Sequence, residues 1–88
     1  MINYTNPILN EREKTHGEYE HTAMISQEIK RTMRRMSGFE AMPNVVRESL
    51  DMIAVKMARI VSGDYRHRDS WDDIIGYAEL ARKQVCDE

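Results

Sequence analysis

Val46, Leu50, Ile53, Met57 and Ile60 recur at intervals of four, three, four and three residues. At about 100° per residue that spacing draws one apolar stripe along an α-helix, and it does not match the two-residue period of a strand. The helix is expected from Pro43 to Ser62, with Gly63 just past its end. Its opposite side should be polar and is only partly so, because Val45, Met52, Val55 and Ala58 lie there beside Glu48, Asp51 and Arg59. A helix that is apolar nearly all round is buried on two sides. A chain of 88 residues is a single domain with a modest core. The second side is therefore expected to meet another subunit, in an all-α homo-oligomer.

The rest of the chain reads as three more helices and no strand. A short first helix is expected from Asn6-Pro7 to about Thr15, interrupted by His16-Gly17. A second runs from about Glu18 to Met36, with Thr22, Ile25, Ile29, Met33 and Met36 on one face. The stretch Ser37–Pro43 is a loop with a glycine and a proline. A last helix starts near Asp69 or Ser70 and presents Trp71, Ile74, Ile75, Ala78, Ala81 and Val85 as its apolar face, which makes Trp71 a core residue.

Composition excludes several classes of function. The chain is 32% charged with a formal net charge of -2, whereas a general nucleic-acid binder is distinctly basic. Its one cysteine, Cys86, has no internal disulfide partner, which points to a reducing, cytoplasmic setting. No apolar run approaches the ~18 residues of a transmembrane helix, so no membrane is expected. The N-terminal residues lack the basic flank and apolar stretch of a signal peptide.

Two groups of acids stand out. Glu48 and Asp51 are three residues apart, so their side chains diverge by only about 60° around the axis. Adjacent carboxylates repel unless a cation lies between them, and Mg²⁺ takes oxygen ligands of this kind, with substrate phosphates completing its shell. The competing account is a solvated face balanced by Arg47 and Arg59. The second group is Asp69, Asp72 and Asp73. Asp69 or Ser70 is suited to cap the last helix, and acids in its first turn complement the macrodipole. Gly76 shares the Asp69/Asp73 face and costs about 1 kcal/mol against alanine in a helix interior. A glycine there lets another backbone or a phosphate come close.

Lys56, Arg59, Arg66 and Arg68 are cations near these acids, of the kind phosphate recognition needs. Ordinary surface pairing is the competing account. Lys30, Arg31, Arg34 and Arg35 fan around the second helix as a solvated run. His16, His21 and His67 show no ligand spacing, and no zinc or phosphate-loop motif is present. Tyr19, Tyr65, Trp71 and Tyr77 read as core or interface anchors.

The stretches ILNEREKTHGEY, RESLDMIAVKMARIVSGD and DSWDDIIGYAEL resemble a small family of phage and prophage proteins known only as a domain of unknown function. The resemblance spans Ile8 to Leu80 and implies a phage or prophage origin. More loosely, the order helix, loop, helix with acids on both is similar to the all-α nucleoside triphosphate pyrophosphohydrolases of the MazG and dUTPase type. Those enzymes hold Mg²⁺ against a triphosphate with an E-X-X-E pair on one helix and an E-X-X-D pair on the next. The corresponding elements here would be Glu48-X-X-Asp51 with Asp69-X-X-Asp72, or Asp69 with Asp73. Three of the four acids are Asp, which shortens the reach to a metal, and one pair sits at the very start of its helix.

The function these observations lead to is a phage-encoded, Mg²⁺-dependent pyrophosphohydrolase-like protein that binds or cleaves a nucleoside triphosphate. Glu48, Asp51, Asp69 and Asp73 would carry the metal. One of these carboxylates would orient water, and Lys56 and Arg59 would neutralise phosphate charge. The alternative is a non-enzymatic phage protein that binds and inhibits a host defence factor.

Overall fold

A computed structural model describes residues 14–86. Three helices follow one another, α1 (Tyr19–Arg34), α2 (Asn44–Ser62) and α3 (Arg68–Val85), with no strand among the described residues. Most of the expected first helix lies outside the described residues. Its end is visible: Lys14–His16 are helical, and Gly17 stops them with φ at 81°. None of the described helices is long and apolar enough to cross a membrane.

The helix boundaries have local causes. Pro43 stands immediately before α2, and its carbonyl accepts from the amides of Val46 and Arg47 at 3.0 and 3.1 Å. A proline there sacrifices no amide the helix could use. The last helix begins at Arg68, with His67 at the cap position and no side-chain cap bond. Asp69 therefore lies in the first turn, where its charge complements the helix dipole without capping. The acid that shapes the turn is Asp64. Its carboxylate accepts from the Arg66 amide at 2.9 Å and its carbonyl from the His67 amide at 3.0 Å.

The helices form one layer, with α2 in the middle and α1 and α3 on its two flanks. No contact joins α1 to α3. Thr22 meets Ser62 and Arg34 meets Asp51, so α1 runs antiparallel to α2. Lys56 meets Asp73 across the short α2–α3 connection, so α3 is antiparallel as well. Asp51 and Lys56 lie about 140° apart around the axis of α2, which makes the layer nearly flat. Its extents are 49 × 26 × 17 Å and its radius of gyration is 15.0 Å, against about 12 Å for a globular chain of this length.

A flat layer has little interior. Among the described residues the buried apolar ones are Phe39, Ala54 and Ala58, and Phe39 is the one large side chain of the three. Thr22, Ser26, Ser49 and Ser70 complete the buried set with Lys56, so the helix contacts are made largely by small residues. The stripe Val46, Leu50, Ile53, Met57 and Ile60 is turned about 80° from Lys56 on the helical wheel, so it meets α3 with its edge and not its centre. It is centred roughly 140° from Asp51, on the side away from Glu48 and Arg59. Its members are only half-buried, and Met57 is 44% exposed. Trp71 also departs from expectation. It is 49% exposed, and its indole N–H donates to the Tyr65 carbonyl at 2.8 Å, tying α3 to the preceding turn.

At one end of the layer two backbones cross at close range. A β-carbon on Gly17 would overlap the Ser62 carbonyl, and one on Gly63 would overlap the Thr15 carbonyl. The Thr22 hydroxyl donates to the His16 carbonyl at 2.8 Å and stands 2.8 Å from Ser62 Oγ. Ser62 Oγ is also 2.8 Å from the Ala58 carbonyl and 3.1 Å from that of His16, so its single proton is shared among several acceptors. The Asp64 amide completes the crossing with a 3.0 Å bond to the Thr15 carbonyl. Gly17→Ala should cost about 1–3 kcal/mol, since it meets both an unfavourable φ and an occupied space. Urea unfolding measures this, and an unchanged midpoint would contradict the crossing.

Candidate functional site

The crossing places Thr15 and His16 beside the start of α3 and the last turns of α2. Between them lies a cleft of about 360 Å³, lined by Thr15, His16, Arg59, His67, Asp69, Ser70 and Asp73. The rings of His16 and His67 meet edge to face with centroids 5.5 Å apart. Asp69 is at the rim, with Oδ2 4.0 Å from His67 Nε2 and its side chain 82% exposed. Asp73 receives Lys56 Nζ at 2.9 Å, and that lysine is itself buried. A buried ammonium needs such a partner, because leaving it unpaired would be strongly destabilising.

Arg59 differs from the other cations around α2. It is half-buried and lines the cleft, yet it forms no ion pair or side-chain hydrogen bond among the described residues. Arg34 forks onto Asp51 at 2.9 and 2.8 Å while its guanidinium lies 4.5 Å above the Phe39 ring. Arg47 is engaged by Glu40 at 3.2 Å, and Arg68 approaches Asp72 at 3.5 Å.

Of the six residues expected to carry chemistry, Lys56, Arg59, Asp69 and Asp73 come together at or beside this cleft. Glu48 and Asp51 do not line it. Asp51 is eight residues before Arg59, about 12 Å along the helix, and turned toward α1. Glu48 is exposed a further three residues back. The four acids proposed as metal ligands thus lie in two places, and two of them are held by cations. Among the described residues no group of three or more His, Cys, Asp and Glu side chains is disposed to hold a metal ion.

Thr15, His16, His67 and Ser70 were not foreseen in the cleft. Ligand spacing could not reveal them, because the two histidines are 51 positions apart and meet only through the crossing. The signal was present in the two glycines, Gly17 and Gly63, each next to a residue that lines or supports the site.

A small all-α domain with a charged cleft at the end of a helical layer is the class that this geometry defines. The chain belongs to the DUF6378 family, a domain of unknown function, whose family model matches residues 2–85. No curated protein and no solved structure matches the chain.

The Arg34–Asp51 fork sets a pH dependence. The guanidinium hydrogen bonds hold the Asp51 carboxyl below its ordinary value of 3.8, outweighing the burial that pushes it up. A carboxyl depressed in the folded state adds stability above its unfolded pKa and loses it as pH falls through the folded value. Asp51→Asn should therefore lower the urea midpoint at neutral pH, with the deficit shrinking as the pH drops below 3.8. A deficit that stays constant through that range would show that the fork contributes nothing as an ion pair.

Proposed function

We propose that this chain is a pyrophosphohydrolase-like protein that binds a nucleoside triphosphate, or a related phosphate ester, at the α2–α3 cleft. The observation that supports this reading is Arg59, a half-buried guanidinium that faces the cleft without an acidic partner among the described residues. Guanidinium groups take phosphate oxygens two at a time through parallel N–H bonds. The imidazoles of His16 and His67 add donors at the same opening, and Ser70 and Thr15 add hydroxyls. The cleft volume lies within the usual range for small-molecule sites. Magnesium enters this proposal only as an ion carried in on the phosphates, since Mg²⁺ commonly keeps one or two carboxylates and several waters. Asp69 is the carboxylate of the cleft with the loosest engagement. A phage or prophage origin, with the host cytoplasm as its setting, remains part of this reading.

Calorimetric titration with inorganic triphosphate, with and without magnesium, tests the cleft. Binding should weaken by at least tenfold in Arg59→Met, in keeping with the loss of a charge-assisted pair of about 1.5–3 kcal/mol. Equal binding by wild type and Arg59→Met would sink the proposal. Hydrolysis of nucleoside triphosphates by wild type is the accompanying measurement for the enzymatic part.

We also propose that the chain works as a homo-oligomer through the side of the layer opposite the cleft residues. Stable domains bury apolar faces between at least two layers, and the described residues supply one. Met57, Val61, Trp71 and Ile75 are 44%, 72%, 49% and 66% exposed. The broad face measures 49 × 26 Å, and a standard interface needs about 800 Å² per partner. Met57→Glu should convert the assembly to monomers in sedimentation at micromolar concentration. A wild type that is already monomeric would overturn the oligomer. It would leave the face to a different protein, as the host-factor inhibitor reading requires.

A further inference from the structure

The cleft continues along α3. A second furrow of about 280 Å³ is lined by Asp72, Asp73, Gly76, Tyr77 and Leu80, and it shares Asp73 with the first. Its floor is bare: a β-carbon built on Gly76 meets nothing within 4 Å. The packing of the described residues therefore gives no reason for a glycine in the middle of α3, where alanine would make the better helix. One wall is the half-buried ring of Tyr77, and the other is Leu80, 56% exposed. From Asp69 to Leu80 the two furrows run about 16 Å along the helix, enough for a nucleoside with its phosphates extended.

We infer that the Gly76 furrow takes the nucleoside half of the ligand, with the base against Tyr77 and Leu80 and the sugar over the bare backbone at Gly76. This rests on the reading of the cleft as a phosphate site and extends it to the substrate class. An aromatic ring beside an exposed leucine offers stacking and apolar area to a base, whose face is sequence-tolerant. Leu80 loses its contact with water when the furrow is filled. The absent side chain at Gly76 keeps open a path that any other residue would narrow. A helix that accepts a destabilising residue at a solvent-exposed position, with no contact among the described residues to justify it, has the pattern of stability given up for a site.

The experiment compares inorganic triphosphate with a panel of ribo- and deoxyribonucleoside triphosphates by calorimetry, on wild type, Gly76→Leu and Tyr77→Leu. At least one nucleoside triphosphate should bind wild type about tenfold more tightly than inorganic triphosphate, as one stacked base would provide. Gly76→Leu should erase that advantage, leave triphosphate binding intact and raise Tm by roughly 4 °C, because leucine is the better helix former. Tyr77→Leu should also lose the advantage. If no nucleoside triphosphate outcompetes inorganic triphosphate, or if Gly76→Leu gains stability with nucleotide affinity unchanged, the furrow is not a nucleoside site although the phosphate cleft stands. If nucleosides bind through Gly76 and inorganic triphosphate does not bind, the furrow stands and the Arg59 cleft falls. Absence of binding by both classes overturns both.

Discussion

The close crossing of Thr15–Gly17 over Ser62–Gly63 is the contact on which the rest of this structure depends. A glycine on each strand of the crossing removes the β-carbons that would hold the backbones apart. The space so gained is filled with hydrogen bonds from Thr22, Ser62 and Asp64 to the carbonyls of His16 and Thr15. Each replaces a bond to water that the buried carbonyl would otherwise lack, and an unmet buried carbonyl costs about 1–3 kcal/mol. Three segments are thereby joined at one end of the layer: the end of the Lys14–His16 helix, the start of α1 and the end of α2. The same contact delivers His16 to His67 and opens the cleft beside them. Site and scaffold share one set of bonds, so damage to the crossing is damage to both.

A layer held at its end still has two broad faces, and they differ because α2 meets its neighbours off-centre. Arg34 and Asp73 approach α2 from positions about 140° apart, through Asp51 and Lys56. The narrower side between them carries Glu48, Val55 and Arg59, and with them the charged groups of the site. The wider side carries the stripe from Val46 to Ile60, continued on α3 by Trp71 and Ile75. Buried serines, a threonine and alanines at the helix contacts let the axes come close but remove little apolar area from water. The described residues thus leave apolar area open on the wide face, with Met57 44%, Trp71 49% and Ile75 66% exposed. That imbalance, more than any single exposed residue, is what argues for a second layer.

The helical class and the ends of α2 were legible in the sequence because periodicity, Pro43 and Gly63 act locally. The role of the main stripe was not. A 4-3-4-3 spacing says that residues share a face, and says nothing about whether the chain has another element to cover it. Trp71 failed for the same reason: its face was read correctly as apolar, and that face lacks a covering element among the described residues. Gly63 was placed correctly but for a different cause, since its φ of -123° is ordinary and the requirement is the space taken by Thr15. The acids at Glu48/Asp51 and Asp69/Asp73 were read as pairs because i,i+3 and i,i+4 neighbours are all that a sequence displays. Their actual partners, Arg34 and Lys56, come from other helices or from across a turn.

That last point changes the sign of the candidate site. Taken along the chain, the acids outnumber their obvious neighbours, and a cation between them looks necessary. In the fold, Asp51 is satisfied by Arg34 and Asp73 by Lys56, both at 2.9 Å or less. The uncommitted half-buried charge that remains at the cleft is the guanidinium of Arg59. Under the proposed reading, a site with an unpaired guanidinium, two imidazoles and one lightly held carboxylate at its rim would take an anion first and a metal only in the anion's company. The acids then have a second use: by occupying Lys56 and Arg34 they keep those cations from competing with Arg59, so the attraction is focused at one point along α2. Neutralised neighbours also lower the cost of leaving one arginine unpaired at a half-buried position, because Arg34 and Lys56 each carry their own counter-ion.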